Sequence, residues 1–151
     1  MIDFSNTTFQ YSNFQPGSYS SLTLIPSTSV NSASSLYTLT IQQANPWDVN
    51  SYFLVDFPTT ISLSSPTCIE TISNTTLTCS MVNATQLRID LPTNDSIVVL
   101  SISTPTNPPS VRPTSPFTVT TYSPQNFMYA TDNSSLTLTT TTASNFSSFS
   151  Y

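Results

Sequence analysis

The chain has no histidine and no lysine; its only basic side chains are Arg88 and Arg112, set against seven carboxylates. Each absence removes a class of chemistry. Without His or Lys, a Ser or Thr nucleophile lacks its usual base, and no side-chain amine is present for covalent catalysis. Lys–Asn cross-links within the chain are excluded for the same reason. Charged residues make up 6% of the chain, where an ordinary soluble domain carries roughly 25%. A net charge of −5 with no basic patch excludes nucleic acid as an expected partner, because phosphate neutralisation needs Lys and Arg. It also argues against docking on anionic lipid. Apolar runs such as Ile97–Leu100 stop far short of the ~20 residues of a membrane-spanning helix, so no membrane insertion is expected in this segment. The opening Met1-Ile2-Asp3-Phe4 has neither a basic nor an apolar leader region. The sequence therefore reads as a fragment or processed form of a longer precursor.

Hydroxyl residues fill the space that charge leaves. Ser and Thr account for 55 of 151 residues, beside twelve Asn. Six of those asparagines open an Asn-x-Ser/Thr sequon: Asn6, Asn74, Asn83, Asn94, Asn133 and Asn145. Composition alone would produce about four, so position carries more weight than number. Asn74 lies in Ser73-Asn74-Thr75, Asn83 in a break after Cys79, Asn94 just past Pro92, and Asn133 in Thr131-Asp132-Asn133-Ser134. Asn6 and Asn145 belong to the two tails. None interrupts a strongly alternating run. N-linked sugar is added only on the secretory route, so an extracellular or cell-surface location is expected. Covalent glycans would also cover a surface poor in charge. No cofactor and no metal is expected. Cys68 and Cys79, with ten residues between them, are expected to face each other across a hairpin and form a disulfide. Such a small loop contributes about 3 kcal/mol.

The apolar residues recur with period two between Pro, Asn, Asp and Ser, with almost no helical pattern. Leu22 and Leu24 alternate with hydroxyls until Pro26. Tyr37, Leu39 and Ile41 alternate with Thr38 and Thr40. Phe53, Val55 and Phe57 run to Pro58, and Ile61 and Leu63 to Pro66. Leu77 and Cys79, then Leu87, Ile89 and Leu91, lead to Pro92. Val98, Leu100 and Ile102 end before Pro105, Phe117 and Val119 follow the prolines, and Leu136 and Leu138 close the series. The fold class expected is all-β: an immunoglobulin-like, two-sheet antiparallel sandwich of about seven to nine strands. Trp47, between Pro46 and Asp48, is a candidate core aromatic in a loop just before a strand. Pro16-Gly17 predicts a turn. The sandwich is placed at 20–140, with residues 1–19 as an N-terminal tail or linking strand. Residues 141–151 form a C-terminal tail or link to a next module. Phe4, Phe9, Tyr11 and Phe14, and Phe146, Phe149 and Tyr151, stud these tails. Aromatic tails suit packing on their own sandwich or adding a strand to a neighbour.

No catalytic residue is assigned, and the chain is not expected to be an enzyme. Asp90 and Asp95, or Asp48 and Asp56, could be a carboxylate pair of the kind that cleaves glycosides. Asp90 however alternates with Ile89 and Leu91 and should face solvent, and Asp95 sits in a turn that favours Asp for backbone reasons. Asp132-Asn133 could offer oxygens to calcium, but no stretch has the ligand spacing of a calcium loop.

Tyr52-Phe53-Leu54-Val55-Asp56-Phe57-Pro58, then Cys68 and Cys79, then Leu87-Arg88-Ile89-Asp90-Leu91, then Asn107 to Tyr122 (NPPSVRPTSPFTVTTY) follow in order. This succession resembles the immunoglobulin-like tandem repeats of giant Ser/Thr-rich protist surface glycoproteins, over roughly residues 36–140. The composition is also similar to that of glycosylated archaeal surface-filament subunits, in which a sandwich accepts a strand from its neighbour. Both resemblances imply a structural repeat or subunit of an extracellular glycoprotein fibre, whose partners are copies of itself or adjacent repeats joined head to tail. A cell-surface adhesion domain is the alternative, binding carbohydrate or protein through exposed aromatics such as Tyr19, Tyr122 or Tyr129.

Overall fold

A computed structural model describes residues 16–142. The sequons at Asn6 and Asn145, and the aromatic residues of both tails, lie outside the described residues. Within them the chain is all-β, with no helix, and forms two main antiparallel sheets facing each other.

The front sheet has the order β1-β2-β9-β5-β6. Its strands are β1 (Ser21–Pro26), β2 (Tyr37–Gln42), β5 (Cys68–Glu70), β6 (Thr75–Leu77) and β9 (Ile97–Ile102). The back sheet has the order β12-β11-β3-β8-β7. It is built from β3 (Tyr52–Asp56), β7 (Cys79–Met81), β8 (Gln86–Asp90), β11 (Thr118–Tyr122) and β12 (Met128–Asp132). Two-residue β4 (Ser62–Leu63) and β10 (Pro105–Thr106) pair with each other at one end. Twelve strands are thus counted, more than the seven to nine that the alternation suggests. The strands not foreseen are β10, β12 and those gained where the Cys68–Met81 stretch divides into three.

Alternation becomes burial in the expected way. In β2, Tyr37, Leu39 and Ile41 are fully buried while Thr38 and Thr40 are half-exposed. Leu39 lies opposite Leu100 and Ile41 opposite Val98 in β9. On the back sheet Phe53 pairs with Ile89 and Val55 with Leu87. The inward residues of both sheets form one continuous core. Trp47, in the loop before β3, is 1% exposed and meets the Phe53 ring edge-on at 5.2 Å. At the other end Phe117 packs against Phe57 at 5.5 Å and Tyr37 at 6.4 Å.

Three local expectations change. Pro16-Gly17 does not form a turn. Gly17 has no positive φ; its N–H donates to Tyr129 O at 2.7 Å and it bridges Ala130 in parallel. A side chain there would crowd the Tyr129 carbonyl, since a Cβ would stand 3.3 Å from it. Leu136 and Leu138 are buried, but their segment joins no sheet. It lies along the proline-rich stretch, which lacks the N–H groups a ladder needs. The bonds that remain are Phe117 N to Leu136 O, Thr114 N to Leu138 O and, from Leu138 N, to the Thr114 hydroxyl. Strand β12 has no alternating apolar pattern; it is recruited by pairing with β11 around a bulge at Thr121/Tyr122.

The lack of glycine leaves a trace in the turns. Ser32, Asn50, Ser65, Asn74, Thr104 and Asn126 all hold positive φ. Asn tolerates this left-handed region better than other residues with a Cβ, which fits its use at three of the six positions.

Asn107 ties the ends of several segments together. It is 1% exposed. Its Oδ1 accepts from the Tyr37 hydroxyl at 2.8 Å, and its Nδ2 donates to Thr28 O and Val30 O, both at 2.8 Å. The β1–β2 loop is thereby fastened to the proline-rich segment. Truncating it leaves the buried Tyr37 hydroxyl unpaired and takes the 2.8 Å donor from the Thr28 and Val30 carbonyls. Asn107→Ala is expected to lose about 3 kcal/mol in urea unfolding. Asn31→Ala, removing one exposed 3.3 Å bond to Pro109 O, should stay within about 0.5 kcal/mol of the parent. Equal effects would contradict this role for Asn107.

Candidate functional site

The two ends of the sandwich differ in their loops. One end carries the β2–β3, β5–β6, β8–β9 and β11–β12 connections, and the other carries β1–β2, β3–β5, β7–β8 and β9–β11. Asn74 and Asn94 sit in the β5–β6 and β8–β9 loops of the first end. Asn83, in the β7–β8 loop, and Asn133, just after β12, sit at the second. All four are exposed and none lies within a strand. Sugar at these positions would displace no core residue and interrupt no ladder.

The turn presenting Asn74 is built from Glu70. Glu70 is 9% exposed and closes β5. Its carboxylate accepts from Ile72 N at 3.0 Å and from both the backbone N–H and the hydroxyl of Ser73. Burial pushes its pKa up, but these donors, with Val99 backbone, outweigh it and hold the carboxyl below its ordinary value. Asp132 does the same beside Asn133. It accepts from Ser134 N at 3.1 Å and Ser135 N at 2.9 Å. Burial opposes ionisation there too and is overcome by the backbone bonds. Its carboxylate is thus engaged in its own turn, not presented with Asn133 to a cation.

The cysteines are arranged differently from a simple hairpin pair. The β5–β6 hairpin exists, but Cys68 lies opposite Leu77. The chain passes from the front to the back sheet at Thr78, whose carbonyl accepts Asp90 N at 2.9 Å. Cys79 is therefore in the back sheet, opposite Ile89. The residues come together between the sheets, both thiols free: the Cys79 thiol donates to Pro66 O at 3.5 Å and lies beside that of Cys68. Burial, then the neighbouring thiol, raises the Cys68 pKa well above its ordinary value. Such a group is not a reactive thiolate.

The tyrosines named as contact candidates are engaged internally. Tyr19 is half-buried, and its hydroxyl lies 2.8 Å from the Thr121 hydroxyl while donating toward Val119 O and Ala130 O, each at 3.2 Å. Tyr122 stacks on Tyr52 with ring centres 5.1 Å apart and planes 13° apart. The Arg88 guanidinium covers Tyr52, 3.9 Å from its centre. Tyr129 donates to Asp48, and burial, then that carboxylate, pushes its pKa up to about 12.

Three of the four carboxylates considered for catalysis, Asp48, Asp56 and Asp90, are also partnered. Asp90 faces outward and pairs with Arg88 at 2.8 Å. Asp56 accepts Gln86 Nε2 at 2.7 Å. Beside the Arg88–Asp90 pair lies an open cleft of about 540 Å³, lined by Asn50, Thr75 to Thr78, Leu91 and Pro92. A second, of about 310 Å³, lies between Gly17–Ser18, Gln43 to Pro46 and Tyr129–Ala130. Among the described residues no three His, Cys, Asp or Glu side chains are grouped as for a metal ion.

The outer face of the front sheet carries no charged side chain. Its outward residues, read by register, are Ser21–Gln42–Ile97, Thr23–Thr40–Val99 and Ile25–Thr38–Ser101–Ile69–Thr76. The back sheet's outer face carries Asp56, Arg88 and Asp90.

No family model and no curated protein matches the chain. Among solved structures, the chain is similar to BslA, described as a bacterial hydrophobin. The identity is 12%, over 82% of this chain and 97% of that one, with a TM-score of 0.49.

Two outcomes are expected of these sites. Alkylation of native, unreduced protein should label neither cysteine, whereas denaturation with reductant should expose both; labelling of both without reductant would exclude a Cys68–Cys79 disulfide. A carboxylate held below its ordinary pKa adds stability above the unfolded value and loses it as pH falls through the folded one. Glu70→Gln should therefore be less stable than the parent at pH 7, and the difference should vanish on acidification below about 4. A constant difference across pH would show that Glu70 is not ionised in the fold.

Proposed function

We propose that the chain is a structural repeat or subunit of an extracellular glycoprotein fibre, joined head to tail to its neighbours, and that it is not an enzyme. One observation carries the directional part of this reading. The described chain enters beside the start of β12, where Gly17 meets Tyr129 O, at the end bearing the β11–β12 loop. It leaves at the opposite end, where Thr141 N donates to Ser29 O at 2.7 Å and Asn31 N to Thr141 O at 2.9 Å. Modules whose chain enters at one end and leaves at the other extend in a line, whether linked covalently or by an exchanged strand.

The exposed loop positions of Asn74, Asn83, Asn94 and Asn133 support glycosylation, and with it an extracellular location. A Cys68–Cys79 bond between the sheets would harden the module for such a setting. The absence of Lys and His supports a role without catalysis. Tyr19, Tyr122 and Tyr129 spend their hydroxyls or ring faces inside the molecule, so adhesion through them is the weaker reading.

Enzymatic deglycosylation of protein made in a secretory host should lower its mass, and Asn→Gln changes at Asn74, Asn83, Asn94 and Asn133 should remove that shift stepwise apart from sugar on the tails. Electron microscopy of native material should show linear filaments with a repeat of one module. Unmodified asparagines would sink the glycoprotein part. Monodisperse single particles would sink the fibre.

A further inference from the structure

We infer that the uncharged outer face of the front sheet is a self-association surface whose partner is the same face of a second copy. The pairing is lateral and independent of how successive modules are linked along a fibre.

Charge distribution selects this face. The described ionic residues are Asp48, Asp56, Glu70, Arg88, Asp90, Asp95, Arg112 and Asp132. Glu70 turns inward, and the others lie in loops or on the back sheet. Two copies with a net charge of −5 each repel wherever those groups approach. Front faces in contact place the back-sheet charges behind two further sheet layers, on the order of 30 Å apart at ~10 Å per layer. That exceeds the ~8 Å screening length at physiological salt. Sequon positions select the same face: Asn74, Asn83, Asn94 and Asn133 sit in end loops, so glycans there leave the broad face open.

The side chains suit a partner of the same kind. Thr38, Thr40, Val99 and Ile69 are half-exposed, and Ile25 is 64% exposed. They present methyl groups at strand spacing with hydroxyls between them, a surface that packs on its like without burying an unpaired charge. An isologous two-fold contact needs only this self-complementarity. The strands cover a footprint of about 400 Å² per copy at ~4.8 Å between strands and ~3.3 Å per residue. The pair then buries roughly 800 Å², short of the 1,200–2,000 Å² of stable complexes. The pairing is therefore weak in isolated chains, with a Kd on the order of 100 μM or above, and strengthens where copies are held close together.

Sedimentation of the full glycosylated chain should show a reversible monomer–dimer equilibrium. Thr40→Glu, at the centre of the face, should weaken it at least tenfold. Ser80→Glu, exposed on the outer face of the back sheet opposite Arg88, should leave it unchanged. Both variants are checked by thermal unfolding. Should Thr40→Glu fail to fold, concentration-dependent amide shifts in the parent protein give the same answer. They should be confined to Thr38, Thr40, Val99 and their front-sheet neighbours. A parent chain monomeric to about 1 mM, equal effects of the two variants, or shifts mapping to the back sheet would each overturn the assignment. Filaments formed by a chain with no lateral pairing would leave the fibre reading intact and sink only this one.

Discussion

Neutral side chains hydrogen-bonded into the backbone of distant segments hold this fold together. A chain with 6% charged residues cannot fasten its loops with ion pairs, and Arg88–Asp90 is the one ion pair among the described residues. Asn107 binds Thr28 and Val30 carbonyls across nearly eighty residues of sequence. Tyr19 reaches β11 and β12 from the opposite end of the chain. Thr140 donates to Ser110 O at 2.7 Å, where prolines have removed the backbone donors. Each such bond contributes about 1 kcal/mol net, but its loss strands a buried partner at two or three times that cost. Ser/Thr abundance, which looks like low complexity in the sequence, is thus a supply of short donors and acceptors that the loops consume.

Period-two alternation was legible because a sheet with one buried face enforces it. It located β2, β3, β8, β9 and β11, and their inward residues make the core. The same signal failed where its physical cause was absent. Leu77-Thr78-Cys79 alternates without a break, yet Thr78 is the corner at which the chain changes sheets. Leu77 faces the core from the front and Cys79 from the back, so alternation survives a change of partner. That is why the hairpin was foreseeable and the actual positions of the cysteines were not. β12 was invisible for the opposite reason: at the sheet margin it contributes Ala130 to the interior, and Met128 is 42% exposed.

Single aromatic residues were the least legible feature. Trp47 was placed correctly, in a loop and in the core, because Pro46 and Asp48 exclude a strand while its size demands burial. Tyr19, Tyr122 and Tyr129 occupy sequence surroundings just as polar, but the contacts that occupy them come from residues 70 to more than 100 positions away, in partners such as Tyr52, Asp48 and Thr121. Local sequence holds no trace of such partners. The sequons were more readable, because a turn is set by its own few residues. Ser73-Asn74-Thr75 forms the expected exposed tip, with Asn74 at φ 53°.

Edge protection explains how an uncharged, β-branched face can stay open without open-ended sheet growth. At one side of the sandwich β6 and β7 are consecutive, so the chain itself crosses between the sheets there. At the other side residues 16–20 run from the β12 margin, through the Gly17–Ala130 bridge, to β1, where Ser20 N meets Gln42 O at 2.8 Å. Pro26 at the end of β1 has no N–H to offer a further strand. Open-ended growth by edge pairing is thereby restricted, while the flat face remains available. Face-to-face contact between two copies consumes both faces and stops. A surface that would be an aggregation hazard on an open edge is, on a closed sandwich, limited by geometry to pairs.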